Sequence, residues 1–350
     1  MKHNVTVYDI AKEAEVSVST VSRVLNGTAP VKESTREKIM ALINKYQFQP
    51  NALARSLTKK ETKMIGVILP DITNPFFPEV FWGVENEANS KGYTFFLCNT
   101  SGQPELESQS LTILREKQVD GIIFMGGRIN LSHCSQELAK EVEDIAKKIP
   151  IVLVNGNLPD SSLHRVIINE GKGAEMLTQH LIDLGHNEIA FFGGYDYVST
   201  TTHKVKTFKK TMKANGFKVP NEWVLYGDFS MDAGKKMMAE ILKRENRPTA
   251  IFCVNDVTAV GAVKVAVEAG LRIPEDMAIV GFDDTILAST VIPELTTVSQ
   301  KSLELGKNAV NILHKLINNE KVKKVTVIEP ELVIRDSTIP KSLKKTKLDK

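Results

Sequence analysis

Two sets of residues in this 350-residue chain have types and spacings that could do chemistry. The first lies near the N-terminus, where Val18, Ser19, Thr20, Ser22, Arg23 and Asn26 fall within nine positions. Short hydroxyls and a guanidinium reach phosphate oxygens and base edges, and Val18 can offer apolar contact to a thymine methyl. Thr6 and Tyr8 add two hydroxyls just upstream. The second set is scattered along the chain but falls at the ends of apolar runs: Asp71, Asn74, Phe76 and Phe77, then Asn155, then Asn255 and Asp256, then Asp283. Carboxylates and amides make paired hydrogen bonds to vicinal hydroxyls, and aromatic faces cover the apolar side of a sugar ring. A small polyol or sugar is the ligand this set implies, with Lys204 and Phe229 as further candidates to touch it.

The first set needs helices to present it. Thr6 and Asp9 have capping-box spacing, so a helix is expected to start at Val7. Ser17 can cap a second short helix that Asn26-Gly27 stops. Only Glu15-Val16-Ser17 separates the two, as a helix-turn-helix requires. Val21, Val24 and Leu25 share one face of the second helix and are expected to be buried, which leaves the polar set outward. Ser34 and Glu37 read as another capping box, opening a third helix whose Ile39, Leu42, Ile43 and Tyr46 form a core-facing stripe.

Charge points the same way. Residues 1–60 hold ten Lys/Arg against five Asp/Glu, and the last ten residues hold five Lys and one Asp. The chain as a whole is +3, so the stretch between is −6. A basic head on an acidic body is what phosphate neutralisation by the head needs.

Taken together, Thr6, Tyr8-Asp9-Ile10-Ala11, Ser17, Thr20-Val21-Ser22-Arg23-Val24-Leu25-Asn26 and Pro50-Asn51, Ala54, Leu57 resemble the N-terminus of the lactose-repressor family of bacterial transcription regulators. The resemblance extends to about Asp336 and is closest to the catabolite-control and ribose-repressor branches. It implies a homodimer on a pseudo-palindromic double-stranded DNA operator. Val18 and Ser19 would meet base edges and Arg23 a guanine, while Thr6, Tyr8, Thr20, Ser22 and Asn26 grip phosphates. Asn51–Leu57 resembles a hinge helix, too short to be stable alone. It includes Ala54, and Leu57 is its minor-groove wedge. The resemblance also implies that Phe76, Asn255 and Asp283 touch the effector, a sugar or sugar phosphate. One departure is Lys204, where many sugar-responsive members place an Arg; an ammonium is a point charge and not a planar fork. Catabolite-control regulators share the Lys204-Val205-Lys206 stretch and bind a serine-phosphorylated phosphocarrier protein. Yet the Arg they carry before the Pro-x-Leu-Thr motif is Ile292 here, so this partner ranks second.

Beyond the head, apolar runs Met64–Leu69, Thr94–Cys98, Gly121–Met125, Ile151–Val154, Val166–Ile168, Glu188–Phe192, Ala250–Cys253 and Ala278–Val280 read as buried parallel strands with helical patterns between them. The fold class expected is an all-α helix-turn-helix head on an α/β two-lobe body, with two doubly wound parallel sheets like those of periplasmic sugar-binding proteins. The expected divisions are a DNA-binding domain 1–49, a hinge and linker 50–61, a body 62–337 and a disordered basic tail 338–350. Within the body, one lobe would hold 62–160 and 293–322, and the other 161–292 and 323–337.

Other classes are disfavoured. No apolar run reaches membrane length, no signal peptide is evident, and Cys98, Cys134 and Cys253 suit a reducing cytoplasm. A transport module would not carry the basic head. An enzyme is not expected, because neither a phosphate-cradling Gly-rich loop nor a nucleophile elbow is present. Asp283 and Asp284 are adjacent and would point apart. Neither cofactor nor metal is expected, since the seven His show no ligand spacing.

Overall fold

The computed structural model describes residues 5–26, 29–48 and 61–339. Contacts divide them into two compact units, with the boundary between Thr62 and Lys63.

Among its described residues the first unit has three helices: α1 (Val7–Ala14), α2 (Val18–Asn26) and α3 (Glu33–Tyr46). The expected capping box opens α1. Thr6 Oγ1 accepts from Asp9 N, and the Asp9 carboxylate accepts from Thr6 N at 2.8 Å. Thr20 N donates to Ser17 Oγ at 3.2 Å at the start of α2. Ile10, Ala11, Ala14, Val21 and Ile39 form the core, with Val24, Leu25, Leu42 and Ile43 packed against it. Two details differ from expectation. Ser34 is not the cap of α3, because Thr35 N and Arg36 N already donate to the Lys32 carbonyl, so Ser34 lies inside the first turn. Tyr46 turns outward, and its hydroxyl donates to Glu13 at 2.7 Å, beside the Lys45–Glu13 ion pair.

Among the described residues, the second unit has two main sheets and a two-stranded pair. One contains β1 (Met64–Leu69), β2 (Thr94–Asn99), β3 (Gly121–Met125), β4 (Ile151–Val154), β5 (His164–Ile168) and β11 (Val325–Ile328), all parallel in the order β11-β5-β4-β3-β1-β2. Helices α4 (Phe76–Ser90) and α12 (Ser302–Ile317) cover one face, and α5 (Pro104–Glu116) and α6 (Gln136–Ala146) the other. The helices α4 and α12 touch backbone to backbone. A Cβ on Gly306 would lie 2.1 Å from the Val80 carbonyl oxygen, so only glycine allows this crossing.

The other sheet is β7 (Val224–Leu225), β6 (Ile189–Phe192), β8 (Ala250–Cys253) and β9 (Ala278–Val280), again parallel. Helices α7 (Glu170–Asp183) and α8 (Ser199–Ala214) pack on one face, and α9 (Met231–Ile241) and α10 (Asp256–Glu268) on the other. A short α11 (Ile286–Thr290) follows β9.

The division between lobes needs correction. Strand β5 was expected in the second lobe but pairs with β4, and β11 pairs with β5, so both complete the first sheet. The turn-like Pro159–Ser162 is therefore a connection within a lobe. Strand β10 (Thr297–Ser299) was expected to return to the first lobe. Instead parallel bridges Val280↔Thr296 and Asp283↔Ser299 set it beside β9, with β12 (Glu331–Val333) antiparallel to it. Helix α12 does return as expected. The chain thus crosses between lobes after β5, after β10 and after β11.

Candidate functional site

The expected DNA-contact residues of α2 differ in exposure, and Val18 packs against the core of the head. Ser19 and Arg23 are exposed, Val18, Thr20 and Ser22 are half-buried, and Tyr8 is 70% exposed. Thr6 is exposed but already engaged in its capping box, which orients α1. Asn26 ends α2. Asn51, Ala54 and Leu57 lie outside the described residues, as does the tail from 340 onward.

In the second unit a cavity of about 900 Å³ opens between the two sheets at the C-terminal ends of their strands, where open α/β sheets bind ligands. Nine of the ten expected ligand residues line it: Asp71, Asn74, Phe76, Phe77, Asn155, Lys204, Phe229, Asn255 and Asp283. These nine lie on both sides of the cleft.

Their roles differ. Asp71 accepts from Thr73 N at 2.9 Å and Thr73 Oγ1 at 2.6 Å, and Asn74 accepts from Phe76 N at 3.2 Å. Both therefore shape the turn that opens α4. Phe76 is buried, and its ring meets Phe77 edge-on at 5.2 Å. Asn255 caps α10 by accepting from Thr258 N at 2.8 Å, and its amide donates to the Phe229 carbonyl at 3.1 Å. It thus ties Phe229 to the strand end.

The polar floor is a connected cluster. Gln300 Nε2 donates to Asp283 Oδ1 at 2.5 Å, Asn155 Nδ2 donates to Gln300 Oε1 at 2.8 Å, and Ile168 N donates to Asn155 Oδ1 at 2.8 Å. This chain of bonds runs from the end of β9 through a crossover to the first lobe. Lys204 is buried with its ammonium 3.5 Å from Glu170 and 4.1 Å above the Phe282 ring. Burial pushes the Asp283 carboxyl well above the usual carboxylate range, against the pull of the Lys204 ammonium. Asn155 and Asp283 both hold positive φ, at 51° and 118°. Such strained backbone is held only where its surroundings over-determine it.

Asp256 is the exception among the expected ligand residues. It is fully buried and outside the cavity lining, accepting from Thr285 N and Thr297 Oγ1 at 2.7 Å each. It is the first residue of α10, and its side chain turns inward to knit the β9 and β10 ends together. Burial raises its pKa to about 7.

Sequence reasoning missed Glu170, Gln300, Asp228, Tyr195 and Tyr197, which also line the cleft. The last two follow Gly193-Gly194 at the end of β6, so the strand-end rule that found the other candidates applied there too. Tyr195 and Tyr197 stack with centroids 5.0 Å apart and planes 13° from parallel, and Phe229 meets Tyr195 edge-on at 6.0 Å. Ser132 N donates to the Tyr197 carbonyl at 2.8 Å beside an antiparallel bridge Leu131↔Val198, so the lobes touch across the cleft mouth. Ile292, where a phosphoprotein contact would need a cation, is 85% exposed. Among the described residues, none form a group able to hold a metal ion, and no helix is long and apolar enough to cross a membrane.

Comparison with known proteins places these two parts in context. A family described as "Bacterial regulatory proteins, lacI family" matches residues 6–51, and a "Periplasmic binding protein-like domain" matches residues 178–338. The chain is 37% identical over 336 residues to the HTH-type transcriptional regulator DegA of Bacillus subtilis (strain 168), across 96% of this chain and 98% of that one. It is 38% identical to catabolite control protein A of Priestia megaterium, across 96% and 99%. Among solved structures, the lac repressor dimer bound to operator and the anti-inducer ONPF matches with a TM-score of 0.86 at 28% identity, across 96% and 99%.

Proposed function

Since the chain belongs to the lacI family of bacterial regulatory proteins and is a DNA-binding transcription regulator, we propose that it represses carbohydrate-related genes under control of a small neutral carbohydrate held in the interlobe cleft. The observation that carries this reading is the convergence of Asn155, Asp283, Gln300 and Lys204 with Phe76, Phe77 and Phe229 on one cavity of about 900 Å³. Polar groups with paired donors and acceptors at the floor, and aromatic faces around them, suit a hydroxylated ring. Four acids line the cavity (Asp71, Glu170, Asp228, Asp283) against two bases, Arg128 and Lys204. Arg128 is fully buried and bonded to Glu107 at 2.6 Å and Glu141 at 2.5 Å, and Lys204 faces Glu170. That balance favours an uncharged sugar over a sugar phosphate.

On DNA, the reading is a homodimer acting in the cytoplasm. Its paired α2 helices enter successive major grooves of a pseudo-palindromic operator of roughly 14–18 bp. Leu57 is the wedge at the centre. Effector binding changes lobe closure and so DNA affinity. The likeness to catabolite control protein A supports one second reading, a phosphorylated carrier protein as corepressor. A gel-shift titration against an operator library, with and without a sugar panel, tests both. Selective binding that a sugar shifts supports the cleft reading. Selective binding that only the phosphorylated carrier shifts overturns it.

A further inference from the structure

The deep polar cluster and the stacked tyrosines lie at opposite depths of the same cavity. Asp283 and Lys204 are 6% and 4% exposed, whereas Tyr195 and Tyr197 are 36% and 53% exposed. All four line it. We infer that Tyr195 and Tyr197 form a second subsite at the cleft mouth that takes another sugar ring, so that the effector is a disaccharide or longer oligosaccharide. This rests on the carbohydrate reading of the cleft and narrows it.

Four observations carry the inference. The cavity, at about 900 Å³, lies near the top of the ~300–1,000 Å³ span of ligand pockets, and one six-membered ring would leave most of it empty. The Tyr195 and Tyr197 rings stack nearly parallel at 5.0 Å, each covering one face of the other, and the outer face of the 53% exposed Tyr197 suits the C–H face of a pyranose. Asp228 lines the same cavity as Tyr195 and Tyr197. Its carboxylate can accept from the hydroxyls of a ring lying on the aromatic surface. Finally, the Ser132 N–Tyr197 carbonyl bond and the Leu131↔Val198 bridge fix this segment's backbone against the other lobe, so the platform is set before a ligand arrives. The platform and the floor are joined through Phe229, which packs edge-on to Tyr195 and is tied to Asn255. A ligand on both would run along one continuous wall.

Titration calorimetry on the full-length protein tests this with matched sets: glucose with maltose and cellobiose, galactose with lactose, and fructose with sucrose. The expected result is that one disaccharide binds at least about tenfold more tightly than either of its monosaccharides, as an aromatic contact of this kind supplies. Tyr197→Ala then removes that advantage, lowering the disaccharide affinity several-fold more than the monosaccharide affinity, while Tyr197→Phe keeps it. Equal affinity for one and two rings, or a Tyr197→Ala variant that weakens both alike, overturns the second subsite and leaves the carbohydrate reading intact. If no sugar of any length binds, the carbohydrate reading fails and the subsite fails with it.

Discussion

Arg23 and Lys204 show how much hangs on the choice between two cations. Arg23 lies exposed on α2 with no acid on that face of the helix. Its planar fork can engage guanine O6 and N7 together, which a lysine cannot do. Arg23→Ala is expected to weaken specific operator binding by about 1–3 kcal/mol and to relax preference at one base pair per half-site. Competition gel shifts with base-substituted operators read this directly; an equal loss on every sequence would make Arg23 a phosphate contact instead. Lys204 is the opposite case, a buried point charge facing Glu170 at 3.5 Å near Asp283. Lys204→Met removes the compensation for those carboxylates. Breaking a buried pair from one side costs on the order of 3–5 kcal/mol. The loss should be larger at pH 8 than at pH 5, because at low pH the Asp283 carboxyl, already raised by burial, escapes the cost by taking a proton. Urea titrations at the two pH values measure it, and a pH-independent loss would mean that Lys204 acts through packing alone.

Elements explain which parts of this were legible in the sequence. Every apolar run read as a strand is one, because a buried parallel strand writes itself as a continuous hydrophobic stretch, although Thr94–Cys98, at the sheet edge, is not buried as expected. Which sheet a strand joins is not written there. Val166–Ile168 looks the same beside β4 as it would beside β6, and only the pairing of Arg165 with Leu153 and of Val166 with Val154 settles it. The same limit separates Asp256 from Asp283. Both are acids just beyond apolar strands, but one turns under α10 toward Thr285 and Thr297 while the other faces the cleft. That difference depends on β10 lying beside β9, a long-range contact without a local pattern. Asp256 then makes a pH prediction at the level of this strand junction. Its folded pKa is raised from 3.8 to about 7. A carboxyl raised in this way adds stability that is full below its unfolded pKa and lost as pH rises through the folded value. The wild-type protein should therefore lose stability between about pH 4 and 7, more steeply than Asp256→Asn, which cannot ionise. The Asp283 carboxyl, also raised, keeps some slope in the variant. Thermal melts across that range check it, and identical slopes would mean that Asp256 is ionised throughout.

At the scale of the whole molecule, charge and cores divide along the same line. The head gathers its +5 within sixty residues around a core of Ile10, Ala11, Ala14, Val21 and Ile39. The stretch from 61 to 340 is −6 and holds four larger clusters, two in each lobe. Each face of both sheets is covered by helices from within residues 63–350, so that span has what it needs to fold by itself. DNA affinity and effector affinity should then be separable by truncation. A chain starting at Lys63 is expected to keep native far-ultraviolet dichroism and to bind the effector as the full-length protein does, while showing no operator shift at any salt concentration. The full-length protein should lose at least about tenfold in operator affinity between 50 and 200 mM salt, because each phosphate that the basic head neutralises releases a counterion. Its effector affinity should stay flat over the same interval, since Lys204 and Arg128 are already paired inside the protein and release no counterions. If the truncated chain bound operator, the acidic body would hold a DNA surface of its own. If effector affinity fell with salt as steeply as operator affinity, an anionic ligand would replace the neutral sugar in the cleft.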